Sequence, residues 1–268
     1  MIESTLATRP TPKRLILSLL SAPTMENVEI GHLIEWGGLF DIEAAATRVA
    51  VGRLVKQGFI ESVARGTYSI GPQGRLMAKT ASSWMEAEQR VRPWSGGWIL
   101  VHSSHLGRTN KTALRARERA FRLNGFVECV AGLWLRPANF AESLTQTRDS
   151  LLALGLESAA VVSVASELAG VDEHDLFGLW PRHDIESAYN RHRDAMHRSA
   201  SRLDTLSLAE AARETIIVGE AVIRQINADP LLPEPMIDIA SRHAMIAQML
   251  DYDTLGREIW RRYIAQIC

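Results

Sequence analysis

The sequence predicts an α+β fold in three successive domains, and three observations lead to this prediction. Hydrophobic patterns change twice along the 268 residues, from helices with a hairpin, to alternating strands and helices, to helices alone. This length exceeds one small domain and gives each part enough residues for its own core. Charge is also uneven, because a basic stretch lies near the N-terminus although the net charge is −1. Each part therefore has its own pattern and its own expected role.

Residues 1–78 show three helices followed by a hairpin. A first helix is expected over 12–22, because proline suits its first turn and apolar residues recur at helical spacing. A second apolar stripe runs over 30–37 and ends at a glycine pair. Asp41 is the predicted N-cap of a third helix, which extends to about Gln57.

The third helix has one buried and one exposed side when its residues are placed about 100° apart. The expected buried side holds Thr47, Val51, Leu54 and Val55. The expected exposed side holds Ala46, Val49, Gly52, Arg53 and Lys56, with Arg48 at the boundary. Small residues let a helix backbone lie close to a grooved surface, as a helix in the DNA major groove must. The alternative is a face that packs against another helix.

A hairpin follows, with strands at 59–63 and 67–70 and a basic, glycine-containing turn at Ala64-Arg65-Gly66. Between Ala44 and Lys79 there is one acid, Glu61, and the basic residues are Arg48, Arg53, Lys56, Arg65, Arg75 and Lys79. Helices followed by a hairpin are the order of a winged helix-turn-helix, which binds DNA mainly through cationic contacts with phosphates. The predicted DNA contacts are Lys13, Arg14, Thr47, Arg48, Arg53, Lys56 and Arg65. The alternative is a winged helix that contacts only protein.

Residues 79–97 are predicted to form a connecting helix or linker, with the helix over 79–92, and residues 98–170 a second domain. Strands are expected at 98–102, 126–130, 133–135 and 159–164, with helices at 109–124 and 140–154. This β-α-β-β-α-β series is the order of a ferredoxin-like fold. Its first helix is basic, which is typical of a solvated face, and the alternative is a second surface that contacts nucleic acid. A metal-dependent nuclease is disfavoured, because the first strand ends in His102-Ser103-Ser104 without a nearby acid.

Residues 171–268 are predicted to form a helical C-terminal domain, with helices at 185–203, 206–227, 236–250 and 254–267. Histidines at 174, 183, 192 and 197 lie among aspartates. The spacing of His192 and His197 does not place two metal ligands on one helical face. We therefore expect surface histidines and no metal.

The remaining features predict a cytoplasmic protein without a membrane partner. Apolar stretches are shorter than the roughly 20 residues of a membrane-spanning helix. The N-terminus shows no basic segment followed by an apolar one, so no secretory signal is expected. Cys129 and Cys268 form neither a disulfide framework nor a zinc-ligand pattern. We therefore expect reduced thiols and no cofactor.

Four segments of the chain form a recognisable combination, namely Thr11–Leu20, Leu39-Phe40 leading into Thr47–Val55, Arg65-Gly66-Thr67-Tyr68, and Asp229-Pro230-Leu231-Leu232-Pro233. Together they resemble the PaaX family, repressors of phenylacetate-type catabolic operons, over nearly the full chain. The resemblance implies a homodimer with a winged helix, a Cas2-like ferredoxin middle domain and a helical C-terminal domain. It also implies that a pathway metabolite, often an aryl-CoA thioester, releases the protein from double-stranded operator DNA. Arg48 and Arg53 match basic positions of the family's recognition helix, and Arg65 matches its wing.

The family's effector residues do not map onto this chain. After the Asp-Pro-Leu-Leu-Pro motif, Ile237-Asp238-Ile239-Ala240 replaces the usual tryptophan-proline-glycine pattern. Aromatic and cationic residues near the domain junctions are therefore the candidates for effector contact, namely Trp94, Trp98, Trp180, Arg182, His183 and Arg191.

The predicted function is that of a non-enzymatic, ligand-responsive transcription regulator. We expect a repressor of an aromatic-compound catabolic operon, with an aryl-CoA thioester or an aromatic acid as effector. Two alternatives stay open. One is an architectural or adaptor protein that binds DNA without sequence preference, and the other is a Cas2-like nuclease.

Overall fold

The computed structural model describes residues 10–21, 27–170 and 172–267. The residues before Pro10, the predicted end of the first helix at Ala22, and Cys268 lie outside the described residues. The chain divides into two compact units. The first consists of Met1–Trp84, Ala195–Ile223 and Met249–Cys268, and the second of Met85–Asp194 and Arg224–Gln248. C-terminal segments therefore contribute to both units.

The first unit begins with helices and a small antiparallel sheet. The bounds are α1 Pro12–Leu20, β1 Val28–Glu29, α2 Ile30–Gly38, α3 Ala44–Lys56, β2 Ile60–Ala64, β3 Thr67–Ile70 and α4 Pro72–Ala81. The predicted order of three helices and a hairpin is confirmed. The sequence does not predict β1, which pairs with β3 and gives the strand order β1-β3-β2. Two residues carry too short a pattern to indicate a strand.

Local sequence explains where these elements begin and turn. Thr11 caps α1 by accepting a hydrogen bond from the Arg14 backbone N–H, and Pro12 occupies the first helical position. Gly66 has a φ of 81° in the turn between β2 and β3, a conformation that glycine adopts without steric cost. The Gly66 carbonyl accepts a hydrogen bond from the Ile30 N–H, which ties this turn to the start of α2.

The predicted N-cap of α3 at Asp41 is wrong. Helix α3 begins at Ala44 with Glu43 in the cap position, and no side chain caps it. Asp41 lies in the tight turn after α2 with a φ of 57°, where its backbone N–H donates to the Gly38 carbonyl. Its carboxylate lies 3.2 Å from Arg213, so the turn presents it to an arginine rather than to the first amides of α3.

The core of the first unit combines N-terminal and C-terminal segments. Residues of α1 to α3 and of the hairpin pack with the first-unit parts of α9 (Leu208–Asn227) and α10 (Ile239–Ile267). Trp36 is 1% exposed and packs edge-on against Trp260, whose Nε1–H donates to the Ala212 carbonyl at 2.9 Å. Burial of these large aromatic rings stabilises the unit.

The second unit contains a four-stranded antiparallel sheet. Its elements are β4 Trp98–His102, α5 Lys111–Leu123, β5 Val127–Val130, β6 Leu133–Pro137, α6 Leu144–Ala153 and β7 Val161–Ala165. The predicted β-α-β-β-α-β series is confirmed. The strand order is β5-β6-β4-β7, and every neighbouring pair is antiparallel. Val101 and Leu135 on the central strands are fully buried, so the core lies against the middle of the sheet.

Side-chain caps fix the starts of both helices of this series. The Asn110 carboxamide oxygen accepts hydrogen bonds from the first backbone amides of α5. Ser143 and Gln146 form a capping box at α6, so the prediction that this helix begins at Phe140 is wrong. Phe140 instead forms an isolated bridge with Val91.

The connecting segment differs from its prediction. Helix α4 begins at Pro72, and a 3-10 helix follows at Ser82–Arg90, so the single connecting helix predicted over 79–92 is wrong. Polar helix-forming residues run through both segments, and their pattern does not mark where one ends and the next begins.

The C-terminal region is helical, as predicted. It contains α7 Glu173–Gly178, α8 Arg182–Ala200, a 3-10 turn at Leu203–Thr205, α9 and α10. The sequence does not predict α7. The predicted break between residues 250 and 254 is wrong, because α10 runs through it with Tyr252 buried and neither glycine nor proline at that point. No helix of the described residues is both long and apolar enough to cross a membrane.

The Asp-Pro-Leu-Leu-Pro motif forms buried hydrogen bonds within the second unit. The Asp229 carboxylate accepts from the Leu231 N–H at 2.8 Å, and the Leu231 carbonyl accepts from Asn139 Nδ2 at 2.7 Å. The Leu232 carbonyl accepts from Arg242 Nη1 at 2.7 Å. These contacts give the motif a structural role.

Candidate nucleic-acid interface

Helix α3 presents a broad exposed face. Thr47, Val51 and Leu54 are buried on the opposite side, as the helical spacing predicts. The prediction that Val55 is buried is wrong, since 37% of it is exposed and it lies about 70° from the centre of the buried side. The exposed face holds Ala45, Ala46, Arg48, Val49, Gly52, Arg53 and Lys56.

Val49 and Gly52 lie within this face between the cations. Val49 is 54% exposed, and a Cβ added at Gly52 would meet no atom within 4 Å. No packing contact therefore requires glycine at position 52, although glycine inside a helix costs about 1 kcal/mol relative to alanine. Neither residue is among the predicted contacts, although the helical spacing places both on the exposed side.

The cations of α3 and of the hairpin turn have no acidic partner among the described residues. Arg48, Arg53, Lys56 and Arg65 are all exposed, and no carboxylate that the structure describes forms an ion pair with them. Glu61, the single acid of this stretch, lies 3.5 Å from Arg75 instead. The surface thus carries uncompensated positive charge.

The structure changes the expectation for two of the other predicted contacts, Thr47 and Arg14, and leaves Lys13 exposed. Thr47 is 1% exposed, so the prediction that it contacts DNA is wrong. Arg14 lies 3.2 Å from Glu220, so its guanidinium already has an anionic partner and is a weaker candidate. Lys13 is exposed, with Nζ 3.9 Å from the centroid of the Phe59 ring. Contact of the exposed cations with DNA stays a prediction.

Three of the predicted effector contacts meet in the second unit. The Trp98 ring lies 5.3 Å from Trp94 and 6.3 Å from Trp180 between centroids, and Phe177 packs beside them. Trp98 and Trp180 are each 4% exposed. The indole N–H of Trp180 donates to the Gly125 carbonyl at 3.1 Å. Trp180 is therefore part of the core and offers no free donor to a ligand.

The cationic candidates do not converge on one point. Arg182, His183 and Arg191 are exposed on α8, and the Arg182 guanidinium donates to the Glu186 carboxylate at 2.8 Å. Arg182 and Arg191 lie about 180° apart around the helix. One small ligand therefore cannot contact both of these arginines.

A cleft of about 320 Å³ opens beside Trp98. Its lining consists of Gly96, Trp98, Leu176 and the loop at 166–169, which includes Glu167. This volume is at the lower end of the range for small-molecule sites, about 300–1,000 Å³. Within the described ranges, no group of three or more His, Cys, Asp or Glu side chains is placed to hold a metal ion.

Comparison with known proteins adds information about the fold alone. No family model and no curated protein matches this sequence. Among solved structures, the chain is similar to the uncharacterized protein Rv0674 from Mycobacterium tuberculosis, with a TM-score of 0.61 and 21% sequence identity. The match covers 93% of this chain and 100% of that protein. The likeness extends over nearly the whole chain and indicates no activity.

Proposed function

We propose that this protein is a DNA-binding transcription regulator and that α3 enters the major groove. The exposed face of α3 carries the proposal, because Arg48, Arg53 and Lys56 have no acidic partners among the described residues. A duplex presents one negative charge per about 1.7 Å of its axis, and the guanine edge offers acceptors that suit arginine. Arg65 in the hairpin turn is the expected contact with the DNA backbone.

The arrangement of elements supports finer fold assignments within this proposal. A short turn joins α2 to α3, and the antiparallel β2–β3 pair follows α3, as in a winged helix-turn-helix. The strand order β5-β6-β4-β7 puts the first and third strands of the series in the centre, which supports a ferredoxin-like assignment. Membership of the PaaX-type repressors belongs to the same proposal.

Val49 and Gly52 suit contact with bases. Aliphatic side chains can pack against the thymine methyl group in the major groove, and Val49, at 54%, is more exposed than Val55, the other exposed valine of α3. Gly52 leaves the backbone of α3 open to a close surface. We therefore assign sequence recognition to Arg53 and Val49, and mainly backbone contact to Lys56 and Arg65.

The proposed effector is an aromatic acid or the aryl part of an aryl-CoA thioester, bound in the cleft beside Trp98. Trp98 and Leu176 line this cleft and are 4% and 3% exposed, so a ring there would contact only the edges of these apolar side chains. Glu167 also lines it, so the carboxylate of an acid would point away from that side. Effector binding is proposed to release DNA, which makes the protein a repressor of an aromatic catabolic operon.

A homodimer is part of the proposal. Strand β7 lies at an edge of its sheet, and Val161 and Val164 on it are 55% and 56% exposed. An edge strand presents unpaired backbone groups, and with exposed valines it offers a surface for a second copy.

An anisotropy titration tests the proposal. The full chain is titrated with a duplex from the DNA that flanks its own gene and with a scrambled duplex of equal composition. We expect preference for the first duplex. Arg53→Gln should weaken that binding by about 1–3 kcal/mol, or roughly 5- to 150-fold, and reduce the preference. Arg75→Gln is the matched control, because it removes the same charge from an arginine that lies beside Glu61.

Aromatic acids and their CoA esters are then added in turn to the complex. Release of the flanking duplex by one of them is the expected result. Equal affinity for the scrambled duplex would contradict the proposal and favour an architectural protein.

A further inference from the structure

Helix α5 of the second unit carries a row of exposed cations. The row consists of Lys111, Arg115, Arg119 and Arg122. At 3.6 residues per turn these residues fall within an arc of about 80°, and at 1.5 Å per residue they extend over about 16 Å. The helix therefore displays a line of positive charge and not a single charged point.

Arg117, the remaining cation of α5, is buried and has partners within the fold, whereas the four cations of the row are exposed. Its side chain is 6% exposed and forms two hydrogen bonds to Glu157, through Nε at 3.0 Å and Nη2 at 2.5 Å. It also donates to the Gly107 carbonyl at 3.1 Å. Packing thus accounts for Arg117 and leaves the row unexplained.

The row lacks acidic partners among the residues that the structure describes. No ion pair joins its four cations to a carboxylate, although Arg119 donates a long hydrogen bond to the Leu154 carbonyl at 3.5 Å. Glu118 lies at one edge of the arc and is exposed. The surface keeps a net positive charge of about three after Glu118 is included.

We propose that the α5 row binds the phosphate backbone of double-stranded DNA, as a second contact surface in addition to α3. This inference rests on the proposed function for its ligand. A row about 16 Å long spans several phosphates of a duplex, which carries one charge per about 1.7 Å. Three of its four cations are arginines, whose planar donors suit phosphate oxygens.

The composition of the face favours DNA over an acidic protein. No other residue of α5 falls within the arc of about 80° that the four cations span. Glu118 and Thr112 flank the arc at about 20°, and Leu123, which is 38% exposed, lies about 40° beyond Arg119. Specific protein interfaces need an apolar, often aromatic, centre. A polyanion needs only matching charge, which the row supplies.

The test is the salt dependence of DNA binding by the full chain. Each neutralised phosphate contributes about 0.9 to the slope of log K against log salt concentration. Arg115→Gln/Arg119→Gln should lower that slope by about 1.8 and weaken flanking and scrambled duplexes equally. An unchanged slope would overturn the proposal and point to a solvated face or an acidic protein partner. Glutamine favours the helix about as well as arginine, so neither substitution should disrupt α5.

The matched control is Arg257→Gln/Arg261→Gln. It removes the same charge from exposed arginines that already pair with Asp253 and Glu258. We expect the control to keep the wild-type slope. If the slope falls equally in both double variants, the cause is the change in net charge, and this result would contradict a contact between α5 and DNA.

A further variant separates failure of this proposal from failure of the proposed function. Glutamine at positions 48, 53, 56 and 65 should abolish sequence preference and leave salt-dependent binding through α5. Adding the α5 double substitution should then remove most of the remaining affinity. A wild type without sequence preference would overturn the proposed function, whereas the slope change at α5 would still decide this inference.

Discussion

The α3 arginines of the first unit and two buried arginines of the second unit have different surroundings, and the difference separates cations that support the fold from cations that can bind DNA. On α3 of the first unit, Arg48 and Arg53 are exposed, without an acidic partner among the described residues. In the second unit, Arg136 is fully buried and the Arg242 side chain is 2% exposed. A buried guanidinium is tolerated only where hydrogen bonds satisfy its donors. Substitution of these two buried arginines should therefore reduce stability, whereas substitution of the exposed α3 arginines should reduce DNA binding.

Arg136 shows how a buried cation is accommodated when no acid of the described residues forms an ion pair with it. Its guanidinium donates to the carbonyls of Asn124 and Pro137 and to Oδ1 of Asn139. It also lies 3.3 Å from the centroid of the Phe140 ring. Burial, together with repulsion from Arg90, lowers the pKa of Arg136 well below its usual value. The donors have acceptors within the fold, so Arg136 has a structural role.

The largest effect is expected from Arg242→Met. Arg242 donates to Glu88 through Nε at 2.7 Å and Nη2 at 3.2 Å, and it also holds the Leu232 carbonyl. The substitution should lower the free energy of unfolding by about 3–5 kcal/mol, because Glu88 and the buried Asp229 lose a counter-charge. Chemical denaturation of the full chain measures the loss.

Two controls sharpen this result. Arg261→Met removes an exposed arginine that pairs with Glu258 at 2.7 Å, and it should leave stability nearly unchanged. The double variant Glu88→Gln/Arg242→Met should recover part of the loss, because it replaces the carboxylate that has lost Arg242 and keeps only His243, at 2.9 Å, with a neutral amide. If the single Arg242→Met variant is as stable as the wild type, the structural role assigned to the buried arginines of the second unit is wrong.

Elements that depend on local patterns could be predicted from the sequence. The strand Trp98–His102 and helix α2 follow from apolar spacing, and the hairpin follows from β-branched runs around Gly66. The errors arise where tertiary contacts decide. Asp41 has the side chain of a cap, but its turn directs it to Arg213, and the pairing that forms β1 involves residues distant in sequence.

The candidate site was predictable only in part. Helical spacing correctly predicted that Arg53 and Lys56 are exposed, because the helical period of about 3.6 residues determines which side of α3 packs against the core. It did not show that Arg14 pairs with Glu220, since their separation in sequence leaves no local signal. Burial of Trp180 could not be predicted for the same reason, because its indole N–H donates to the carbonyl of Gly125, which is distant in sequence.

His192 is 8% exposed, so the expectation that it is a surface histidine is wrong. Burial, and after it the positive charges of Arg191 and Arg224, lowers the pKa of His192 below its ordinary value of 6.5. The unfolded chain therefore takes up the proton more readily than the folded protein. Stability should fall as pH drops below 6.5, by up to about 1.4 kcal/mol per pH unit until the lowered pKa is reached.

Denaturation of wild type and His192→Gln between pH 7 and pH 5 measures this loss. The wild type should lose more stability than the variant over this range. His197→Gln, on an exposed position of the same helix, serves as the control and should follow the wild-type curve. Parallel curves for wild type and His192→Gln would show that the fold accepts the charged imidazole.

The smallest expected effects come from the same substitution at two glycines of the first unit. A Cβ at Gly37 would lie 2.9 Å from Thr47 Oγ1, whereas one at Gly52 meets nothing. Alanine gains up to about 1 kcal/mol over glycine within a helix, and overpacking costs about 1–3 kcal/mol. Gly37→Ala should therefore lower stability by about 1 kcal/mol, and Gly52→Ala should raise it by about 0.5–1 kcal/mol. If DNA approaches the α3 backbone closely, Gly52→Ala should also weaken binding in the anisotropy titration, because the added methyl occupies the contact surface. A Gly52→Ala variant with higher stability and higher affinity for DNA would show that close approach of DNA to the α3 backbone does not require glycine at position 52.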